Sequence, residues 1–264
     1  VYQYARRQVL FDSKLSEVIT EAEELRQEHP GGGVEKMYHT LKPDFLGRDR
    51  FVDTMMELGF RIKRSKNYKR TTIASKVYYP NLIKGLEVTG PSQIWQSDIT
   101  YIPVGGNHYY AVFIIDVYTK KIVGYQVSDH MRATATVRAL QMALRSHPPP
   151  RIHHSDRGSQ YIYKNYIGLL KKQGSQISMS LSAQDNAYAE RINRTIKQEY
   201  LDHWRPKTYA QLKRFVNKAV NHYNTIRPHN NLQKKSPREF EKHWSTLKNI
   251  KKPKLTIFNN EIIV

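Results

Sequence analysis

The chain has 264 residues, 39% of them hydrophobic and 25% charged, enough for one large folded core with small appendages. Lys and Arg number 43 against 23 Asp and Glu, a formal charge of +20; this opposes compaction by self-repulsion and points to a polyanionic partner rather than a small metabolite. The absence of cysteine excludes disulfides, cysteine zinc sites and thiol nucleophiles.

No run approaches the ~18 apolar residues of a membrane span. The basic residues do not sit on an amphipathic, Leu-rich helix, so an acidic membrane surface fits them poorly. The N-terminus lacks the apolar core of a signal peptide and opens on Val1 rather than Met, as a trimmed or processed chain would. The expectation is an intracellular polyanion-binding protein.

In chain order, residues 13–28 read as a helix opened by Ser13 as N-cap, with Leu15, Val18, Ile19, Ala22 and Leu25 forming one apolar stripe. His29-Pro30-Gly31-Gly32-Gly33 breaks it. A short helix over 34–41 and another over 48–58 follow. The latter turns Phe51, Val52, Met55 and Leu58 inward and stops at Gly59. Three short helices with a tight glycine turn suit a helix-turn-helix module, whose last helix enters the major groove. The same pattern also serves protein-binding or purely structural bundles. From 60 to 86 come Arg61, Lys63, Arg64, Lys66, Lys69, Arg70, Lys76 and Lys84 without an acid, interleaved with Tyr68, Tyr78 and Tyr79. This is a linker that tracks phosphates, a solvated flexible one, or both.

After residue 92 the period changes. Ile94 to Pro103 reads as a strand and Tyr109 to Val117 as a strongly apolar second one, joined by a hairpin at Gly105-Gly106-Asn107. Ile122 to Val127 makes a third strand after the Thr119-Lys120-Lys121 turn. A helix over 133–145, with Val137, Leu140, Met142 and Leu144 apolar, is closed by Pro148-Pro149-Pro150. A short strand over 151–154, a helix over 160–173, a strand over 176–179 and helices over 186–202 and 208–223 complete the pattern. An antiparallel meander followed by alternating helices and strands gives an α/β fold: a mixed sheet flanked by helices, with its first and fourth strands adjacent. Ligands in open α/β sheets bind near strand ends where the connection order reverses.

That architecture brings together Asp98 within the first strand, Asp156 directly after the fourth, and Glu190 in the first turns of the helix near Asn186. Phosphodiester cleavage needs a reactive nucleophilic oxygen and a stabilised leaving oxygen, and two hard cations about 3.5–4 Å apart supply both. Mg²⁺ takes a few carboxylates and completes its shell with water and phosphate. Taken singly, each acid has a plainer reading: a strand-end cap for the aspartates, a solvent-facing helix position for Glu190. Asp98 is the odd one, because an unpaired carboxylate in a buried strand is costly. Asn193, Arg194 and Lys197 follow Glu190 along adjoining helix faces, an edge suited to a metal at one end and DNA beyond.

The segments IWQSDITYI, IIDVYTKKIVGY, HHSDRGSQY, DNAYAERIN and NHYNTIRPHNNL resemble transposases of bacterial insertion sequences of the IS-three type, whose core is similar to retroviral integrase and ribonuclease H. The likeness covers about 94–240; the N-terminal EELRQEHPGGGVEKMYHTL is similar to the helix-turn-helix segment preceding that core. It implies a DDE transposase, a polynucleotidyl transferase with nuclease activity, with Asp98, Asp156 and Glu190 as catalytic and metal-binding residues. It also implies two Mg²⁺ per active site with Mn²⁺ as substitute, and no covalent enzyme–DNA intermediate. Water would nick a transposon end at its terminal inverted repeat, and the freed 3′-OH would attack target DNA. The domains expected are a helix-turn-helix-like module (1–60), a basic linker (61–92), a ribonuclease H-like core with a mixed five-stranded sheet (93–246) and a tail (247–264).

Residues 157–189 separate the second and third acids, two fewer than is usual in the family; the shortening falls between Met179 and Asp185. Without cysteine, the chain cannot build the His/Cys zinc domain of the related retroviral enzymes. DNA contacts are expected from Arg157, Asn193, Arg194, Lys197, Lys63, Arg64, Lys66, Lys69 and Arg70. His153 and His154 point to opposite faces of a strand and cannot share an ion; a structural role is expected, with His154 lining the site at most. Gly158 would allow close backbone approach to DNA. Asp116 is read as structural, Asp185 and Asn186 as the N-cap of the Glu190 helix, Trp95 as core, and Tyr223, Asn224, Arg227, Pro228 and His229 as structural or DNA-facing.

The partners expected are DNA, a second copy of the chain so that two ends meet, and an upstream-encoded DNA-binding partner or fusion. The setting expected is the bacterial cytoplasm at the nucleoid, with no membrane. The rival readings are a DNA-binding protein with a retired core and a nonspecific nuclease.

Overall fold

The computed structural model describes residues 2–62, 79–180 and 183–257. Its N-terminal unit consists of α1 (Tyr2–Glu28), α2 (Val34–Leu41) and α3 (Arg48–Glu57). Helix α1 runs 27 residues, so Ser13 lies inside it rather than capping it. The preceding segment contains no glycine or proline, and an interior serine costs a helix too little to start it afresh. The stop after Glu28 falls at the expected His-Pro-Gly run, and Gly33 is the N-cap of α2. Val18, Ala22, Val34, Met37, Leu46, Phe51 and Met55 form this unit's own core. Leu58, expected inward, is 48% exposed. Arg26 closes the unit by donating to the carbonyls of Pro30 (3.0 Å), Gly32 (2.6 Å) and Phe60 (2.9 Å).

Strand β1 (Glu87–Val88) precedes the hairpin of β2 (Ile94–Val104) and β3 (Asn107–Asp116), and β4 (Ile122–Ser128) completes the meander. Gly105 (φ 57°) and Gly106 (φ 81°) supply the two left-handed residues that a two-residue hairpin of matching twist needs. Then follow α4 (Ala133–Ser146), β5 (Ile152–Ser155), α5 (Lys164–Lys172), β6 (Gln176–Met179) and α6 (Ala187–Ile196). A π-turn (Lys197–Leu201) leads into α7 (Asp202–Trp204), α8 (Tyr209–Thr225), α9 (Pro237–Thr246) and β7 (Leu255–Thr256). The one helix expected over 186–202 is thus widened in its second half.

The main sheet has five strands in the order β4-β3-β2-β5-β6, antiparallel across the meander and parallel from β2 to β5 to β6. Alternation along the strands divides the interior in two. Ile102, Val104, Ala111, Phe113 and Ile115 pack on α6 and α8, through Ala189, Ile192, Ile196, Val216 and Ala219. Trp95, Val112, Ile114 and Val123 pack on α4 and α5, through Ala139, Leu140, Ala143, Tyr166 and Leu170.

The buried face of α4 sets the small residues Ala135, Thr136, Ala139 and Ala143 around Leu140, while Met142 is 39% exposed. This lets the helix settle close to the sheet over Gly124. The tail expected beyond 247 instead returns to the fold: β7 pairs antiparallel with β1, and Ile257 is buried with Ile83, Val88 and Phe240. No helix among the described residues is long and apolar enough to cross a membrane.

A Cβ at Gly124 would collide with the Ala139 carbonyl and lie 2.9 Å from Ala143 Cβ. Gly124→Ala should therefore overpack the α4–β4 contact and destabilise the fold by about 1–3 kcal/mol, read as a lowered midpoint in urea unfolding with unchanged slope.

Candidate active site

The parallel ladder between β2 and β5 ends in the pair Ser97–Ser155. Asp98 is the next residue of β2, and Asp156 directly follows β5. Neighbouring strands lie about 4.8 Å apart, so the register sets these aspartates abreast, on the face where Gln96 and His154 also pair. Sequence reading had them adjacent; the ladder supplies the reason.

Glu190 reaches the same face from α6, and three consecutive residues of β2 hold that helix in place. Gln96 Oε1 accepts from the backbone N–H groups of Tyr188 (3.2 Å) and Ala189 (3.3 Å). Asn186 Nδ2 donates to the Ser97 carbonyl at 3.0 Å. Asn193 Nδ2 donates to Asp98 Oδ2 at 2.7 Å. Asn186 occupies the N-cap position but makes no capping bond with its side chain, contrary to expectation. Gln96, from the sheet, satisfies the helix N-terminus instead.

Asp98, Asp156 and Glu190 are all half-buried, as the walls of a cleft would be. Burial, then repulsion from Asp156 and Glu190, pushes the Asp98 carboxyl up from 3.8 to about 8, against hydrogen bonds from the Ile99 N–H and Asn193. Burial also raises Asp156, opposed by the Gly158 N–H at 3.0 Å. Glu190 is raised by burial and by Asp156, with Arg194 acting the other way. The three acids are electrostatic neighbours. Among the described residues, however, no three acids or histidines stand close enough to close a metal cage by themselves.

The other expected site residues fall into place unevenly. Arg157 is half-buried beside Asp156, and Arg194 is exposed one turn beyond Glu190. Lys197 is half-buried, its ammonium 3.4 Å from the Tyr101 carbonyl and within the field of Asp98. Asn193 is a correction: it is 6% exposed and engaged with Asp98, not turned outward to DNA. Gly158 is another, being buried where a Cβ would sit 2.9 Å from Asp156 Oδ1 and 3.0 Å from Gln160 Oε1. It makes room for the carboxylate rather than for DNA. Lys63, Arg64, Lys66, Lys69 and Arg70 lie outside the described residues.

The decoys resolve as structural. Asp116 accepts from the N–H groups of Ser92, Tyr118 and Thr119 and from the Thr119 hydroxyl. His153 bonds Tyr166 and His154 bonds Ser178, on opposite faces, and burial pushes them down to about 3 and about 4. Trp95 is fully buried. Asn224 binds both the N–H and the carbonyl of Ile122 at 2.9 Å, tying α8 to the sheet edge. Sequence reasoning missed Gln96 and also Tyr161, whose buried hydroxyl meets Ser97 Oγ at 2.9 Å beneath the acids. Their signal was available: a glutamine two residues before Asp98 shares its face of the strand.

Residues 88–184 match the integrase core domain family, and 175–237 match a second integrase core domain model. The chain is 36% identical over 186 residues to the transposase for insertion sequence element IS904 of Lactococcus lactis subsp. lactis (strain IL1403), covering 68% of this chain and 73% of that protein. It is 33% identical over 159 residues to transposase InsF for insertion sequence IS3A of Escherichia coli (strain K12), covering 58% of this chain and 55% of that one. In fold it is similar to a chain of the simian T-cell lymphotropic virus intasome solved with PP2A regulatory subunit B56 gamma (TM-score 0.51, 14% identity, 64% of this chain and 60% of that one).

The elevated Asp98 carboxyl makes a pH prediction. In metal-free buffer the folded state holds a proton between pH 3.8 and about 8 that the unfolded chain has released. Stability from this group is therefore full below that window and lost as pH rises through it. Asp98→Asn should flatten the decline, seen as a smaller fall in melting temperature from pH 5 to 8.5 with chelator present; an equally steep fall would show that the carboxyl is charged throughout.

A five-stranded core, matched across its length by integrase core models and by relatives of this coverage, places the chain among the IS-three-type transposases of bacterial insertion sequences, enzymes with a ribonuclease H-like DDE core that act on DNA.

Proposed function

We propose that Asp98, Asp156 and Glu190 are the three acids of this transposase and hold two Mg²⁺ ions, which Mn²⁺ can replace. The observation that carries this reading is the register that brings Asp98 and Asp156 side by side at the end of the β2–β5 ladder, with Glu190 beside them on a helix held by Gln96, Ser97 and Asp98, all three carboxyls being raised by burial. Positive charge placed among such carboxyls favours their ionised forms. The donors are all hard oxygens, which suits Mg²⁺ or Mn²⁺ rather than a softer metal. An incompletely closed cage suits Mg²⁺ too, since it retains water and substrate phosphate as ligands. When bound, the ions supply activation of the attacking oxygen and stabilisation of the leaving one.

The chain's own residues do the rest. Asn193 fixes the Asp98 carboxylate, so that its rotamer is set before any substrate arrives. The Gly158 N–H does the same for Asp156. Arg194 and Lys197, one and two turns beyond Glu190, offer positive charge where a DNA strand would leave the cleft, and Arg157 offers it beside Asp156. Residues 1–60 act as a helix-turn-helix-like DNA-binding unit, and the basic stretch that follows, from Arg61, as a connection along the phosphates, ending before Ile83 and Val88 enter the core. The substrates are terminal inverted repeats and target DNA. Hydrolysis frees a 3′-OH that then joins the target, in a dimer or larger assembly that brings two ends together, with or without an upstream-encoded partner or fusion.

Asp98→Asn, Asp156→Asn and Glu190→Gln should each lower nicking and strand transfer of an end-containing duplex by at least about 10²-fold, while gel-shift affinity for that duplex at fixed salt stays close to wild type. A Glu190→Gln protein that nicks and joins at the normal rate would remove Glu190 from the site.

A further inference from the structure

Glu199 lies nine residues after Glu190 on the same helical run, inside the π-turn Lys197–Leu201. A π-turn breaks the regular ladder and leaves backbone groups for outside partners. Here the Glu199 carbonyl accepts the Gly31 N–H of the N-terminal unit at 2.7 Å. The Glu199 carboxylate takes His29 Nε2 and Lys36 Nζ, each at 2.6 Å, and the Arg227 guanidinium through Nε and Nη2, each at 2.7 Å. Burial raises this carboxyl, but bonds from Arg227 and His29 and the charges of Arg227 and Lys36 outweigh it and hold it well below the usual range.

The fit is close. A Cβ on Gly31 would run into the Glu199 backbone. His29 is 3% exposed and stacks on Tyr200, its ring 4.9 Å away, with His222 at the same distance on another side. Trp204 Nε1 donates to the Gln27 carbonyl at 3.1 Å, and Lys234 pairs with Glu35 at 2.7 Å. The glycine turn between α1 and α2 is thereby seated on the continuation of α6.

Helix α6 is held at its start by Gln96 and Asn186 and midway by Asn193. The Glu199 cluster holds its far end. We propose that Glu199 is a positioning residue for strand cleavage, through which the docked N-terminal unit fixes the helix that carries Glu190 and Asn193. This rests on the reading of Glu190 as one of the metal-holding acids. Undocking would leave α6 free to tilt about its sheet-bound end, and displacement of a reacting group by about 1 Å is enough to cost on the order of 10²-fold in rate.

Gly31→Ala and Lys36→Met act from the N-terminal side alone and leave the Glu199–Arg227 pair in place. Each full-length variant, first shown folded by circular dichroism, is measured for single-turnover nicking, for Kd on an end-containing duplex, and for the Mg²⁺ concentration giving half-maximal rate. The expectation is a nicking rate down about tenfold or more, a severalfold higher Mg²⁺ requirement, a Kd within twofold of wild type, and recovery with Lys36→Arg. Wild-type rate and Mg²⁺ requirement in the folded variants, or a loss confined to Kd, would overturn the proposal; should Gly31→Ala not fold, Lys36→Met decides. Glu190→Gln is run alongside. If it nicks normally, the acid assignment fails, whereas an inactive Glu190→Gln with unaltered Gly31→Ala and Lys36→Met fails the positioning role alone.

Discussion

The parallel register of β2 on β5 governs the site. Because Ser97 faces Ser155, the two aspartates that follow them emerge side by side on one face of the sheet. A slip of one residue would turn one carboxyl to the α4–α5 side, into the apolar layer around Trp95 and Tyr166. The same short stretch of β2 also fixes the third acid, since Gln96, Ser97 and Asp98 each bind α6, at two backbone N–H groups, at Asn186 and at Asn193. One strand therefore carries an acid and aligns the helix bearing another. The arrangement lies at the carboxyl ends of the parallel strands, beside the point where the sheet changes from antiparallel to parallel pairing, where an α/β sheet opens a crevice.

This placement has an electrostatic cost. A chain of net charge +20 places three acids where burial disfavours their charged forms, with repulsion from neighbouring acids added at Asp98 and Glu190. Tyr161, His153 and His154 around the acids add no compensating charge: Tyr161 is pushed far above its ordinary value, and burial holds His153 and His154 neutral at pH 7. Part of the compensation comes from Arg194, which opposes the rise of Glu190, and from Lys197, within the field of Asp98.

Much of this was legible because the strands alternate cleanly and their turns use residues with a backbone reason to be there, such as Gly105-Gly106. Asp98 stood out as a charge within a strand expected to be buried, and Asp156 as the residue directly after a short one. What the sequence hid was side-chain direction on helices. Asn193 and Arg194 are neighbours in the chain, yet one is buried against Asp98 and the other exposed. A polar residue on the boundary of a helix face looks alike in either setting until the opposing surface is known. The β1–β7 pair was likewise invisible, being two residues long on each side and joined across most of the chain. Helix α1 was cut short at Ser13 because a residue that favours caps was read as one.

The contact between the helical unit and the core is built differently from the two sheet–helix layers. Those are apolar, and apolar surfaces tolerate small sliding. The Glu199 cluster is ionic and directional: a bidentate arginine, a lysine and a histidine converge on one carboxylate, and a glycine N–H meets a backbone carbonyl. Buried ion clusters add little net stability over well-packed apolar substitutes, because desolvation consumes most of the attraction. Their return lies in geometry, since partners displaced by even an ångström lose bonds already stripped of water. A contact of this kind specifies one orientation of the unit on the core. It does so at the end of the helix whose other residues hold Asp98 and present Glu190.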